Sequence, residues 1–183
     1  MTSMNQTITV LVGSLRADSV NRRLAHALRE RAPQGVTVDV VEDLGALPFY
    51  NEDLEAGVVP APVAALRDRV GAADAVLAVT PEYNGTMPAA LNNAIDWLSR
   101  PYGAGALVGT PFAVIGTTPT PYGGKWAHAD ALRSAAVAGA VPVEDATVSQ
   151  PGVGVDVLTD PAVRATLDGA LATLLAFSTA QAA

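Results

Sequence analysis

The stretch that decides the fold is residues 74–101, which read DAVLAVTPEYNGTMPAALNNAIDWLSRP. It opens on a short apolar run at 75–79, which is typical of a parallel strand buried on both faces. A turn cluster follows at 80–85. A helix is then predicted, with Thr86 as its N-cap and Pro88 in its first turn. Because open α/β sheets bind ligands at the carboxyl edge of their strands, this turn cluster is the first candidate site.

Outward from this stretch, apolar strands alternate with amphipathic helices. Strands are predicted at 8–12, 36–41, 75–79, 111–115 and 141–147, and further helices at 21–31, 63–73, 125–138 and 161–178. The alternation predicts an α/β fold, a three-layer sandwich around a five-stranded parallel sheet. Five strands in so short a chain favour the flavodoxin-like order 2-1-3-4-5 over a six-stranded Rossmann sheet. No repeat or boundary interrupts the pattern, so residues 1–183 are expected to form a single domain.

The composition is that of a globular protein, since half of the 183 residues are apolar and 16% are charged. The net charge of −7 argues against nucleic acid as a partner. The absence of cysteine excludes disulfides, thiol nucleophiles and cysteine-held metal centres. The first residues, MTSMNQ, have no signal-peptide pattern, and no apolar stretch reaches the roughly 18 residues of a membrane span. A soluble, cytoplasmic protein is expected.

Polar loops follow the first, third and fourth predicted strands, and in the predicted order they meet at one sheet edge. The first of these loops, GSLRADSVN at 13–21, has neither a Walker A ending nor the glycines of GxGxxG. It offers the hydroxyls of Ser14 and Ser19, the guanidinium of Arg16 and the amide of Asn21 beside a helix N-terminus. These donors predict a site for a phosphate monoester. The alternative is that Ser19 or Asn21 only caps the helix and that Arg16 is solvated.

With both loops in view, the sequence resembles the NADPH-dependent FMN reductase family. This flavodoxin-like group includes bacterial chromate and quinone reductases and some azoreductases. The resemblance rests on GSLR at 13–16 with Ser19 and Asn21, on PEYNG at 81–85 and on NAIDWLSRP at 93–101. It covers most of the chain and is weakest in the long loop after the second strand and in the last helix.

The resemblance implies a phosphate site for FMN in the first loop. Ser14, Arg16, Ser19 and Asn21 would hold the phosphate, together with the backbone N–H groups around Val20 and Asn21.

The resemblance places the isoalloxazine ring along the loop of Pro81, Glu82, Tyr83, Asn84 and Gly85. Backbone N–H groups of the three middle residues would meet the polar edge of the ring. The Asn84 side chain would add its amide, and Tyr83 would help to shape the nicotinamide pocket.

The third loop, at 117–124, would wrap the far side of the flavin, with Thr117, Thr118 and Gly123 as its candidate contacts. Here the sequence departs from the family. Threonines stand at Thr118 and Thr120, where the family has a serine and a glycine, and two prolines stiffen the loop.

The resemblance implies that FMN passes reducing equivalents from NADPH or NADH to a small-molecule electron acceptor. Quinones, free flavins, azo compounds and metal oxyanions such as chromate are the candidate acceptors. No side chain has to be a nucleophile or a general base, so no catalytic residue and no metal ligand is named. Relatives are usually dimers or tetramers, which implies a homo-oligomer. The alternative function is a flavodoxin-like electron carrier that holds FMN without nicotinamide turnover.

Several other residues have more than one interpretation. Lys125 and Arg100 either meet a cofactor phosphate or are solvated surface charges. His26 and His128 are expected to pack in helices rather than to bind a metal. Pro48, Phe49 and Tyr50 in the long loop either cover a neighbour's flavin or form a hydrophobic plug.

The two tryptophans, Trp97 and Trp126, are expected in the core or at an interface rather than stacked on a ligand ring.

Overall fold

A parallel β-sheet forms the centre of the computed structural model, which describes residues 5–182. Its strands are β1 (Gln6–Val12), β2 (Val36–Val41), β3 (Ala75–Val79), β4 (Pro111–Thr118), β5 (Val141–Pro142) and β6 (Val148–Pro151). The strand order is β2-β1-β3-β4-β5, and β6 also pairs with β4. This is the predicted flavodoxin-like order. Residues 1–4 and residue 183 lie outside the described residues. Residues 1–4 belong to the stretch MTSMNQ, in which no signal peptide is predicted.

Helices cover both faces of the sheet, which confirms the predicted three-layer sandwich. They are α1 (Val20–Glu30), α2 (Glu52–Ala56), α3 (Ala61–Gly71), α4 (Ala89–Leu98), α5 (Lys125–Val137) and α6 (Pro161–Ala182). Side chains alternate between the faces, so Leu77 of β3 joins the core beneath α1 and α6. Its neighbour Val76 joins the core beneath α3, α4 and α5. Within residues 5–182, no helix combines the length and the apolarity that a membrane crossing needs.

The sheet has one strand more than predicted, because the strand predicted at 141–147 is interrupted. A 3₁₀ helix at Glu144–Ala146 separates β5 from β6. There the Val114 N–H of β4 donates to the Thr147 hydroxyl (3.2 Å) instead of to a strand carbonyl. Pairing resumes at Val148, in a segment predicted partly as loop, and follows β4 to its end. This edge of the sheet therefore extends further toward the candidate site than expected.

Among the predicted boundaries that differ from the structure, two are explained by specific contacts. β4 continues to Thr118, past its predicted end at residue 115, because β6 pairs with its last residues. α4 begins at Ala89 with Pro88 as its N-cap, and no side chain caps it. Thr86, the predicted N-cap, donates its hydroxyl to Asp130 of α5 instead.

Candidate functional site

A cavity of about 730 Å³ opens at the carboxyl edge of the sheet, within the range of roughly 300–1,000 Å³ that is typical of small-molecule sites. The loops after β1, β3, β4 and β6 form its walls. Ten predicted site residues line it, namely Ser14, Arg16, Ser19, Val20, Asn21, Pro81, Glu82, Tyr83, Thr117 and Thr118. Three others, Asn84, Gly85 and Gly123, lie outside the lining. The structure therefore brings the three predicted loops together at one sheet edge.

One end of the cavity is rich in hydrogen-bond donors from the β1–α1 loop. The buried Ser14 hydroxyl accepts from the Arg16 N–H (3.4 Å), and the buried Ser19 hydroxyl caps α1 by accepting from the Arg22 N–H (3.4 Å). Ser19 is thus a helix cap, and it lines the cavity as well. The N–H groups of the first turn of α1 have no acceptor within the helix. Arg16 is exposed and makes one long bond to the Asp18 carbonyl (3.4 Å), so this end suits an anion.

Asn21 joins α1 to the end of β4 through both ends of its amide. Its Nδ2 donates to the Thr117 carbonyl (3.0 Å), and its Oδ1 accepts from the Thr117 N–H (2.9 Å). The side chain predicted to hold a phosphate is therefore engaged with the neighbouring strand, and the Asn21 backbone N–H is the group left for a ligand. The Thr117 hydroxyl, in a residue only 6% exposed, has no partner among the described residues. A ligand oxygen in the cavity would satisfy this buried group.

The loop after β3 ends in a tight turn at Asn84 and Gly85. Both residues have positive φ, 54° and 76°. Tyr83 and Thr86 flank them and exchange two backbone hydrogen bonds, of 3.0 and 3.1 Å. This is the geometry of a two-residue type I′ turn, for which Asn-Gly is the preferred sequence. Asn84 and Gly85 therefore shape the loop from outside the cavity, and the Tyr83 N–H, predicted to face a ring, is used within the turn.

The same loop is fixed to α5 by two side chains. The Glu82 Oε2 accepts from the N–H groups of Trp126 and Ala127, both at 3.1 Å, and so caps α5. The N-cap residue of α5 is a glycine and makes no side-chain cap bond of its own. The Thr86 hydroxyl binds Asp130 one turn further along, and this bond lowers the pKa of the Asp130 carboxyl. The loop is thus held against a helix.

Buried His128 connects the ends of two strands behind this loop. The residue is 1% exposed, its Nδ1 lies 2.7 Å from the Ser149 hydroxyl of β6, and its Nε2 lies 3.3 Å from the Thr80 carbonyl. Burial lowers the pKa of the imidazole, which favours its neutral form. His26 lies on α1 and contacts Glu42 (2.7 Å). Each histidine therefore connects its own helix to another part of the chain.

Position 123 requires a glycine because of contacts that the sequence does not reveal. Its φ is 63°, and a Cβ there would lie 2.5 Å from the Ser149 carbonyl oxygen. The glycine thus lets the third loop pass against β6, and it does not line the cavity.

A fourth wall of the cavity was not predicted. It comes from the segment after β6, and its residues are Gly152, Val155, Asp156, Val157 and Leu158. Arg23 of α1 and Pro119 and Thr120 of the third loop complete the lining. The segment at 149–160 is predicted as a plain loop, because β6 is not recognised as a strand. The available signal is the turn cluster that follows β6, which reads PGVG at 151–154.

The long loop after β2 is docked on α4. The Trp97 indole N–H donates to the Pro48 carbonyl (2.8 Å), and the Tyr50 N–H donates to the Asn93 Oδ1 (2.8 Å). The Tyr50 ring packs edge-on against Trp97, with ring centroids 5.0 Å apart, and Arg100 donates to its hydroxyl (3.0 Å). Tyr50 thus fastens the loop to its own chain, and Arg100, a candidate for a cofactor phosphate, is engaged there. The neighbouring Phe49 is 80% exposed.

Comparison with known proteins identifies the family of this chain. A family model described as NADPH-dependent FMN reductase matches residues 6–153. A quinone reductase of Pseudomonas putida is 49% identical over 121 residues, and a 2-hydroxy-1,4-benzoquinone reductase of a Burkholderia species is 48% identical over 111 residues. The matches cover 66% and 61% of this chain, and 64% and 60% of the length of those two relatives.

A solved structure is similar over nearly the whole chain. The flavoenzyme NAD(P)H:(acceptor) oxidoreductase FerB from Paracoccus denitrificans is 37% identical and superposes with a TM-score of 0.75. The similarity covers 96% of this chain and 94% of FerB. The resemblance first indicated by the two loop motifs is therefore confirmed, and the chain belongs to the NADPH-dependent FMN reductase family.

Proposed function

We propose that the protein is an FMN-containing reductase that oxidises NADPH or NADH and reduces a quinone or a related small-molecule acceptor. The observation that carries this proposal is the cavity, which joins the donor-rich loop after β1 to the Pro81–Tyr83 segment along one sheet edge. Family membership supports the cofactor, and relatives named as quinone reductases support the acceptor. The proposal treats residues 1–183 as a single FMN-binding domain.

The residues at the donor-rich end fit the phosphate and ribityl chain of FMN. The hydroxyls of Ser14 and Ser19 and the free N–H groups of the first turn of α1 are the donors that an anionic oxygen needs. Arg16 adds a positive charge with no carboxylate partner among the described residues. The unpartnered hydroxyl of Thr117 is positioned for a ligand oxygen further along the cavity. Thr118 lines the same wall.

The other end of the cavity fits a flat ring. Pro81 and Glu82 form one wall there, and Tyr83, about half exposed, stands at the opening. The Glu82 carboxylate is held by the N–H groups of α5, so it fixes the loop rather than reaching the ring. These residues would hold the ring of FMN, and the cofactor would supply the hydride chemistry between the nicotinamide and the acceptor. The chain's own residues bind and orient the reactants, and no side chain is assigned a proton transfer.

The first test combines cofactor loading with reduction. The protein is loaded with FMN, freed of excess and mixed with NADPH without oxygen while the visible spectrum is recorded. We expect prompt bleaching, and recovery of the flavin band when a benzoquinone is added. A retained flavin that neither NADPH nor NADH bleaches would indicate the electron carrier instead.

The same preparation tests the phosphate site. Arg16→Ala is expected to weaken FMN binding by roughly tenfold or more, because it removes a charge-assisted contact. Arg29→Ala, at the far end of α1, is the matched control and should bind FMN as the wild type does. Equal FMN affinity in Arg16→Ala and wild type would remove the assignment of Arg16.

We also propose that the protein acts in the cytoplasm as a homodimer or homotetramer, without nucleic acid as a partner. The net charge of −7 and the absence of cysteine support the location and the lack of a nucleic-acid partner. The exposed Phe49, next to a firmly docked loop, supports a contact with a second copy. Light scattering of the purified protein measures the oligomeric state directly.

A further inference from the structure

Two aromatic side chains and a lysine form an exposed group beside the cavity. We call this group, Tyr122, Lys125 and Trp126, the aromatic rim. The two aromatic residues are 51% and 46% exposed, and their ring centroids are 4.8 Å apart. The Lys125 ammonium lies 5.1 Å from the Tyr122 centroid and 4.7 Å from the Trp126 centroid. A cation held over two accessible rings is a suitable surface for a flat aromatic ligand that carries negative charge.

The aromatic rim is connected to two walls of the cavity. Glu82, which lines the ring end, accepts a hydrogen bond from the Trp126 N–H (3.1 Å). Thr120, which also lines the cavity, accepts from the Tyr122 N–H (3.3 Å). The backbone of the aromatic rim is therefore bonded to two residues of the cavity lining, so the rim adjoins the cavity.

Among the described residues, Lys125 differs from Arg100 and Arg133 in that it has no carboxylate partner. Arg100 is bound to the long loop and lies 4.0 Å from Glu55, and Arg133 pairs with Asp130. In the part of the chain that the structure describes, no carboxylate lies within ion-pairing distance of Lys125, which contacts the two rings instead. In a chain of net charge −7, an unpaired ammonium beside the cavity is a local attraction for a phosphate.

We propose that the aromatic rim binds the adenosine end of the reduced dinucleotide, with the adenine against Tyr122 or Trp126 and a phosphate on Lys125. This inference rests on the proposed reductase function, in which the nicotinamide reaches the Pro81–Tyr83 segment and the adenosine stays outside the cavity. Base stacking on exposed aromatic rings and a phosphate contact to lysine are the interactions that such an end group requires.

The kinetic test compares donors with and without adenosine. In Lys125→Met and in Trp126→Leu, the KM for NADPH is expected to rise by about five- to tenfold, as for one lost charge or stacking contact, with kcat unchanged. Reduced nicotinamide mononucleotide, which has no adenosine, should keep its wild-type KM in both variants. Trp126→Leu retains the backbone N–H that Glu82 binds, so the loop stays in place. Arg29→Met is the charge-loss control and should leave the KM for every donor unchanged.

Direct binding gives a second readout that does not depend on turnover. Adenosine 2′,5′-bisphosphate is titrated into the FMN-loaded protein, with heat as the signal. Wild type and Arg29→Met should bind it alike, and Lys125→Met and Trp126→Leu should bind it about five- to tenfold more weakly.

Two results would overturn the inference. One is wild-type binding of the bisphosphate and a wild-type KM for NADPH in both rim variants. The other is an equal rise in KM for NADPH and for reduced nicotinamide mononucleotide, which would indicate general damage to the site. A wild-type holoprotein that oxidises neither NADPH nor NADH would overturn the reductase proposal itself, and the inference would fall with it.

Discussion

Asn21 shows how one side chain can satisfy two backbone groups that the sheet leaves unpaired. Its amide binds the N–H and the carbonyl of Thr117, which lies 96 residues further along the chain. Both partners are buried, so neither bond can be replaced by water without rearrangement. The amide thereby fixes the position of α1, with its free N–H groups, relative to the hydroxyl of Thr117 on the facing wall.

Replacement of Asn21 by leucine is expected to lower the free energy of unfolding by about 2–4 kcal/mol, since it leaves a buried N–H and a buried carbonyl unpaired. Denaturant unfolding measures this change. Asn92→Leu is the matched control, because Asn92 is exposed on α4 and bonds only to Asp96 (3.1 Å). The control should change the free energy of unfolding by no more than about 0.5 kcal/mol. A similarly small loss in Asn21→Leu would show that the two hydrogen bonds between Asn21 and Thr117 contribute little to stability.

At the scale of elements, α5 and the loop after β3 depend on each other. The helix starts at a glycine that supplies no capping side chain, and the Glu82 carboxylate takes that role from the loop. Thr86 binds the same helix one turn later. This wall of the cavity is therefore anchored to α5 at two points.

Glu82→Ala is expected to destabilise the protein by about 1 kcal/mol, the usual effect of losing a helix cap, and to weaken FMN binding because the loop is released. Glu82→Gln keeps an oxygen that can accept from the N–H groups of Trp126 and Ala127. It should therefore recover most of both losses. Denaturant unfolding and FMN titration of the wild type, Glu82→Ala and Glu82→Gln measure both effects. If the glutamine variant were as impaired as the alanine variant, the negative charge rather than the cap would be the important property.

Much of the whole molecule follows from local patterns in the sequence. β2 and β3 have the bounds that their apolar runs predict, and the strand order follows from the alternation of strands and helices. The three loops with Ser14, Pro81 and Thr117 meet at one edge because parallel strands end there together.

The features that the sequence does not predict depend on contacts between residues far apart in the chain. The hydrogen bonds between Asn21 and Thr117 join residues that are 96 positions apart, so no local sequence pattern indicates them. β6 was missed because the strand predicted before it breaks at Glu144–Ala146, where the Thr147 hydroxyl replaces a backbone partner. The fourth wall, at Gly152 and 155–158, was missed for the same reason.

Stability of the whole molecule should depend on pH through His128. Burial lowers its pKa in the folded protein below the ordinary value of 6.5, so the unfolded chain binds a proton that the folded chain does not. The contribution of neutral His128 to the free energy of unfolding is therefore fully present above about pH 6.5. It is lost as the pH falls toward the pKa of the folded state. Unfolding curves between about pH 7.5 and 5.5 measure this slope. His128→Gln should lower the slope of the free energy of unfolding against pH, even if the variant itself is less stable. An unchanged slope would show that other groups cause the pH dependence.

The broken strand at one side of the sheet also bears on how copies of this chain meet. A continuous outer strand offers a row of free N–H and carbonyl groups to which another chain can add a strand. Here the 3₁₀ turn between β5 and β6 divides that row into two short pieces. On the opposite side, Arg69 binds both the Asp39 carboxylate and the Val40 carbonyl of β2. Each border therefore has a feature that interrupts the pairing of an added strand.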